Sequence, residues 1–422
     1  MLAEVSREFS KLPKPLYFLY AGTIVTRMGA FVFPYLTIYL SEVRDFGLDV
    51  VGLVLSVGSI GLLLGNLLGG WLTDRWSRKW TLIFALLLNA LGFGALAFHY
   101  PAGWMYASFL FVGYLGSGMY NPAANTVISD LTEENKRQFA YTVNYVCVNV
   151  GMALGPLLGG FLATVSYLWI FVGDVITSLV CASLICIGVA ETKHQLVKAE
   201  VSANEKKKPQ PRLVWLRHPL VFLFCLIYFF LICPLMGLEF AVPLLVKKAF
   251  SSSEVFIGVI YTINAVCILS LSFFVEKFIR GKSEIRWMIV AGCFWAAGLM
   301  ILLFGYSILA LMICTAVWTI GEIIASIIVP TYISNRVSAD VKGRFLALND
   351  VVRSFSGVIC PIGLGFLWKY SGPERCVQVL TLLPLVAIAW YLGIWVFGGP
   401  ENARPQADTS LTRKESELAL DD

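Results

Sequence analysis

Charged residues stand inside long apolar stretches of this 422-residue chain, Arg27, Glu239, Glu322 and Arg353 among them. An ionisable group in hydrocarbon is costly without a partner, so such residues mark ion or solute pathways. At 1.5 Å per helical residue, Arg27 and Glu322 fall about 16 Å and Arg353 about 13 Å from a helix end, near mid-span. Glu239 lies further out and Asp350 nearer the inner side. The chemistry open to them is proton binding and the holding of a charged solute. A carboxyl in low dielectric without a cation beside it takes up a proton, whereas one next to arginine stays ionised. Glu239 has no arginine near it in its span and is the first candidate for proton coupling, with Glu322 the second. Arg353 and Glu322 are placed to pair between adjacent helices.

Helices long enough to cross a bilayer must position these groups. The chain is 58% hydrophobic and 14% charged, against about 25% charged in soluble domains. Each crossing needs about 20 apolar residues, and twelve such runs are expected: 16–40, 50–73, 80–98, 104–128, 139–165, 168–190, 220–246, 255–279, 285–306, 308–334, 345–370 and 377–397. They lack the alternation of a membrane β-barrel. The expected fold class is an all-α polytopic membrane protein with twelve transmembrane helices in two pseudo-symmetric six-helix halves. Residues 1–190 form the first half, 191–218 a cytoplasmic linker holding Lys206-Lys207-Lys208, 219–398 the second half, and 399–422 a disordered cytoplasmic tail. With both termini inside, 25 of the 32 lysines and arginines fall on the inner side and five outside (Arg44, Lys247, Lys248, Lys369, Arg375), which satisfies the positive-inside rule.

The halves repeat. Asn144, Pro156, Gly160 and Phe161 recur as Asn349, Pro361, Gly365 and Phe366, each 205 residues later. Internal repeats of this kind place a substrate site between halves near the bilayer midplane.

Composition also excludes much. The net charge of +5 is distributed by loop, so nucleic acid is not indicated. The ten cysteines lie in or beside apolar runs without a metal-binding spacing, and read as small buried hydrophobes. Three histidines near loops give no support for a metal centre. Gly281-Lys282-Ser283 is not the end of a nucleotide loop, because Glu276 stands where the first glycine is required. No hydrolase or kinase motif is present, and neither an enzyme activity nor a cofactor is expected. The first apolar run is long enough to stay in the membrane rather than be cleaved as a leader.

Two motifs carry more. Residues 65–79 read Gly-Asn-Leu-Leu-Gly-Gly-Trp-Leu-Thr-Asp-Arg-Trp-Ser-Arg-Lys, an apolar helix end followed at once by a charged loop. Residues 151–160 read Gly-Met-Ala-Leu-Gly-Pro-Leu-Leu-Gly-Gly, in which Gly151, Gly155 and Gly159 form one small-residue stripe for close helix contact, and Pro156 can bend the helix.

The first motif resembles the loop 2–3 signature of the major facilitator superfamily, matched at Gly70, Leu72, Asp74, Arg75, Arg78 and Lys79, with Ser77 in place of the usual glycine. The second resembles the span-five signature of that superfamily's drug:proton antiporters, carried by Gly151, Gly155, Pro156, Gly159 and Gly160. The resemblance implies alternating access. It implies that Asp74 caps the start of span eleven around residues 342–344, and that Arg78 reaches Asp130 at the inner end of span four, a latch for the outward-open state. It also implies proton coupling at carboxylates of spans five, seven and ten. Glu239 and Glu322 resemble the last two, while Asn144 holds the span-five place and cannot titrate. Arg27, Asn144 and Arg353 are the expected cavity residues.

The expected function is proton-coupled export of small amphipathic molecules across a bacterial inner membrane, by a monomer whose partners are substrate, protons and lipid. The alternative is proton symport of an anionic nutrient, siderophore or peptide, with Arg27 and Arg353 holding its carboxylate. A non-transporting sensor on the same fold is the third reading, and the intact gating motifs argue against it.

Overall fold

The computed structural model describes residues 8–30, 32–191, 218–249, 254–337 and 339–397, without the side chains of residues 134, 135, 137, 138 and 339–343. Nearly all of the expected linker and the whole tail, Lys206-Lys207-Lys208 included, lie outside the described residues.

The described residues are helical, with no strand. Helix α1 runs Lys14–Met28, and α2 runs Val32–Ile38 and continues as a π-helical turn, Tyr39–Val43. Then follow α3 (Leu48–Arg75), α4 (Arg78–Ala95), α5 (Gly103–Leu131), α6 (Glu134–Val165) and α7 (Tyr167–Gly188). After the undescribed residues come α8 (Pro219–Ala249), α9 (Glu254–Ile279), α10 (Glu284–Ile301), α11 (Ile308–Arg336) and α12 (Ala339–Phe397).

One expected span meets a correction. Residues 16–40 were expected as one helix, but the helix breaks between Met28 and Val32. The ring of Pro34 conflicts with the carbonyl four residues earlier and supplies no N–H, and Gly29 closes α1. Residues 345–370 and 377–397 lie, as expected, in two helices of the 59-residue α12, parted at Gly372, at φ 80° and ψ 175°. That backbone is open to glycine and strained for other residues. A continuous helix of that length would reach about 90 Å, far beyond a bilayer, so Gly372 and Pro373 separate residues 339–371 from 374–397.

Among the described residues, nine helical stretches are long and apolar enough to cross a membrane. Helices α4 and α5 fall outside the nine because α4 opens on Arg78-Lys79 and α5 is rich in glycine, tyrosine and asparagine. Large apolar side chains face outward, Ile187 at 81% exposure and Phe304 at 90%. A soluble protein would bury them; in a bilayer they meet lipid.

Helices α1–α7 pack among themselves, chiefly α3 and α4 on α5, α4 on α7, and α1 on α6 and α7. Helices α8–α12 do likewise, chiefly α8 and α10 on α12, and α11 on α9 and α10. Two long crossings join the sets, α3 on α12 and α6 on α9. These crossings are built alike. The backbone of α3 at Gly52 lies against the Pro361 carbonyl, and Gly365 against the Leu48 carbonyl. In the other crossing Gly258 lies against the Pro156 carbonyl, and Gly160 against the Glu254 carbonyl. A side chain at any of these glycines would collide with backbone. The repeated Pro-x-x-x-Gly pairs at 156–160 and 361–365 therefore mark equivalent crossings.

Candidate transport site

Helix α8 presents Glu239 to solvent, although the helix is otherwise among the most buried in the molecule. The carboxyl lies within electrostatic reach of Arg353 on α12 and Glu322 on α11, and of Tyr114 on α5 and Tyr261 on α9. It thus stands where the two helix sets face each other. Arg353 and Asp350 are also exposed, and both lie within electrostatic reach of the Tyr228 ring of α8.

Glu322 is half-buried, and its orientation is set from α9. Asn264 Nδ2 donates to Glu322 Oε2 at 2.9 Å and to Thr319 Oγ1 at 2.9 Å. Thr319 in turn donates to the Thr315 carbonyl at 2.6 Å. The expected Arg353–Glu322 ion pair is not formed: the two interact at longer range, and Asn264 takes the place by the carboxylate. The arginine keeps an exposed guanidinium with no ion pair among the described residues.

Arg27 ends α1. Its Nη2 donates to Asn121 Oδ1 of α5 at 2.6 Å, while its Nε is buried without an acceptor. The span-five stripe fixes its stem. A Cβ at Gly151 would come 2.5 Å from Arg27 Cβ, and one at Gly155 would come 2.9 Å from the Met28 carbonyl oxygen. Gly159 is buried on the same helix. Asn144 of α6 and its repeat mate Asn349 of α12 each hold a buried Oδ1 without a donor.

One end of the molecule is tied shut across the two sets. Lys247 Nζ lies 3.1 Å from both Glu42 Oε2 and Glu254 Oε1. Tyr167 donates to Glu254 Oε1 at 3.4 Å, and Tyr35 to the Pro156 carbonyl at 2.6 Å and the Glu254 carbonyl at 3.1 Å. Lys369 pairs with Asp49 at 2.8 Å, Ser56 donates to the Val358 carbonyl at 2.6 Å, and Thr262 to the Ala153 carbonyl at 3.1 Å.

At the opposite end, Arg78 Nε lies 3.2 Å from Asp130 Oδ2, the contact the loop motif implied. Ser77 caps α4 by accepting from Trp80 N, and it also donates to Glu191. Arg75 lies over the Trp71 ring at 5.7 Å. Gly65 and Gly69 press on α5, whereas Gly70 faces open space. Asp74 is exposed and makes no hydrogen bond or ion pair among the described residues, and the Lys342 side chain, in the stretch it was expected to cap, lies outside them.

Sequence reasoning missed Asn121, Asn264 and Asp174. The first two were visible as amides inside spans, but nothing in the sequence names their partners. Asp174, 4% exposed in α7, obeys the same rule that singles out Glu239.

The Major Facilitator Superfamily model matches residues 19–361. An MFS-type transporter of Bacillus subtilis, YhjO, is 24% identical over 90% of this chain and 92% of its own. A Na(+), Li(+), K(+)/H(+) antiporter of Planococcus maritimus is 23% identical over 87% of this chain and 91% of its own. The quinolone resistance protein NorA of Staphylococcus aureus is 23% identical over 84% and 90%. Among solved structures, a D-xylose-proton symporter superposes with a TM-score of 0.72 at 15% identity, covering 89% of this chain and 96% of its own. A POT peptide transporter with sulfate superposes with a TM-score of 0.72 at 15% identity, covering 93% and 95%.

Proposed function

The chain belongs to the major facilitator superfamily, and we propose that it is a proton-coupled exporter of small amphipathic molecules. In this reading twelve crossings form two six-helix halves with both termini cytoplasmic, and residues 339–371 and 374–397 are the last two crossings. The end tied by Lys247 and Lys369 is the outer one, so the chain stands closed to the outside. Asp74 belongs to the inner latch and, without a hydrogen bond or ion pair among the described residues, engages when the inner side closes. Arg78 and Asp130, both in the first half, are paired while the outer end is closed, so that pair holds its own half together rather than marking the outward-open state.

The observation that carries the reading is the Glu239–Glu322–Arg353 cluster between the halves, whose carboxylates are not locked in ion pairs. A proton arriving from outside neutralises one carboxyl, the cation–carboxylate balance in the cavity changes, and the equilibrium between inward- and outward-facing states shifts. Differential interaction with the two states is what lets a ligand move such an equilibrium. Each charge moved down the membrane potential supplies about 2.3 kcal/mol per 100 mV. Similarity to NorA and to a cation/proton antiporter supports export over uptake. The span-five stripe supports the same direction.

The test is extrusion of ethidium from energised cells or vesicles. Wild type should extrude it, a protonophore should abolish extrusion, and Glu239→Gln or Glu322→Gln should lose it. Absence of extrusion by wild type would reject the cationic-drug reading and turn attention to anionic solutes at Arg353 and Arg27.

A further inference from the structure

Asp174 stands apart from the cluster just described. It is 4% exposed, and its Oδ2 is buried with no donor among the described residues. Its place on α7 follows from its neighbours one turn away on either side. Phe171 packs 4.8 Å from the Tyr39 ring, and Thr177 fills the space that a side chain on Gly29 would need. Asp174 lies between them on one helix face, opposite the gap between α1 and α2. The carboxyl therefore sits against the break in span one.

The polar and charged groups of the elements packed against α7 are committed elsewhere. Ser178 donates to Asn89 Oδ1 at 2.8 Å, and Asn89 Nδ2 to Ser117 at 2.7 Å. Arg27 of α1 is on Asn121. Arg44, after the π-helical turn, is on the Tyr39 hydroxyl and the Ala97 and Phe98 carbonyls, and Tyr39 itself donates to the Leu96 carbonyl. Arg78 and Lys79 of α4 are on Asp130 and the Cys186 carbonyl. Lys136 of α6 pairs with Glu133. Among the described residues no charged side chain pairs with Asp174. An unpaired carboxylate in such a place is far costlier than the neutral acid.

We propose that Asp174 is a second proton-binding site of the transporter, set at the break in span one. Its carboxylic acid gives its proton to water and becomes the carboxylate when span one moves away from α7, and takes a proton from water on return. The proposal rests on the proton-coupled reading for its role in transport, but not for its chemistry.

The test is infrared difference spectroscopy of the purified protein in lipid vesicles, titrated from mildly acidic to mildly alkaline pH. Wild type should show the carbonyl stretch of a protonated carboxyl that fades reversibly as pH rises. Asp174→Asn, which mimics the neutral acid in shape, should lack that band, and Glu239→Gln should retain it. Identical carboxyl bands in wild type and Asp174→Asn, or a band unchanged at every pH, would overturn the proposal. The readout needs no substrate, so failure of ethidium extrusion rejects the export reading while the spectrum still decides the site.

Discussion

Arg78 at the start of α4 and Glu284 at the start of α10 hold equivalent places 206 residues apart, with opposite charge. Each pairs with a residue near the end of the following helix. Arg78 Nε lies 3.2 Å from Asp130 Oδ2, and Glu284 Oε2 lies 3.0 Å from Arg336 Nη2. Asp130 and Arg336 are themselves 206 residues apart. The duplicated site has kept the attraction and inverted its polarity, so the local geometry accepts either order of charge.

A charge swap should therefore be tolerated. Arg78→Ala removes a charged partner from Asp130, whose side chain is 7% exposed, at a cost of roughly 1.5–3 kcal/mol, the loss expected for a hydrogen bond to a charged group. The double variant Arg78→Asp with Asp130→Arg should recover most of that loss in the thermal melting of purified protein. A double variant as unstable as the single one would mean that Glu191 or another neighbour dictates the polarity.

The outer ion pairs should bias the conformational equilibrium more than the overall stability. Each partly exposed pair contributes about 0.2–1 kcal/mol, so Lys247→Ala with Lys369→Ala should move the closed-to-open ratio by about fivefold, the equivalent of about 1 kcal/mol. The rate at which an impermeant maleimide reaches Tyr261→Cys, with native cysteines replaced, measures this. An unchanged rate would show that the backbone crossings alone hold the outer end shut.

Those crossings give a sharper wedge. A Cβ at Gly258 would meet the Pro156 carbonyl oxygen at 2.5 Å and Leu157 Cα at 3.0 Å. Gly258→Val should hold the outer end apart, speed the same labelling well beyond the lysine variants, and stop extrusion. Gly52→Val, at the equivalent crossing, should do the same. A Gly258→Val protein that transports normally would refute closure at this contact.

Asn264 should tune the coupling carboxyl without binding a proton itself. Its loss removes a hydrogen bond to a charged group, worth about 1.5–3 kcal/mol. In Asn264→Leu the pH profile of ethidium extrusion should move while the fold is retained, and Asn264→Gln should partly restore it. A fixed profile with reduced rate would reassign Asn264 to packing.

Much of the architecture was legible before any coordinate, because its causes are local or periodic. A backbone in lipid must satisfy its own hydrogen bonds, so long apolar runs read directly as helices. The 205-residue repeat paired Pro156 and Gly160 with Pro361 and Gly365, and the structure then placed both pairs at the inter-set crossings. The charged loop after α3 announced the Arg78–Asp130 contact.

Partner choice among the buried polar groups was decided only in three dimensions. It depends on how each helix is rotated about its axis and at what depth it crosses its neighbours, and neither is written in hydropathy. That is why Asn264 rather than Arg353 holds Glu322, and why Asn121 holds Arg27. The ties of Lys247 and Lys369 close one end of the molecule by joining residues far apart in the chain. Asp174 lies buried opposite the break in span one for the same reason. Sequence determined which residues could carry charge inside the membrane, and tertiary packing determined which of them were paired, which were left accessible, and which were buried alone.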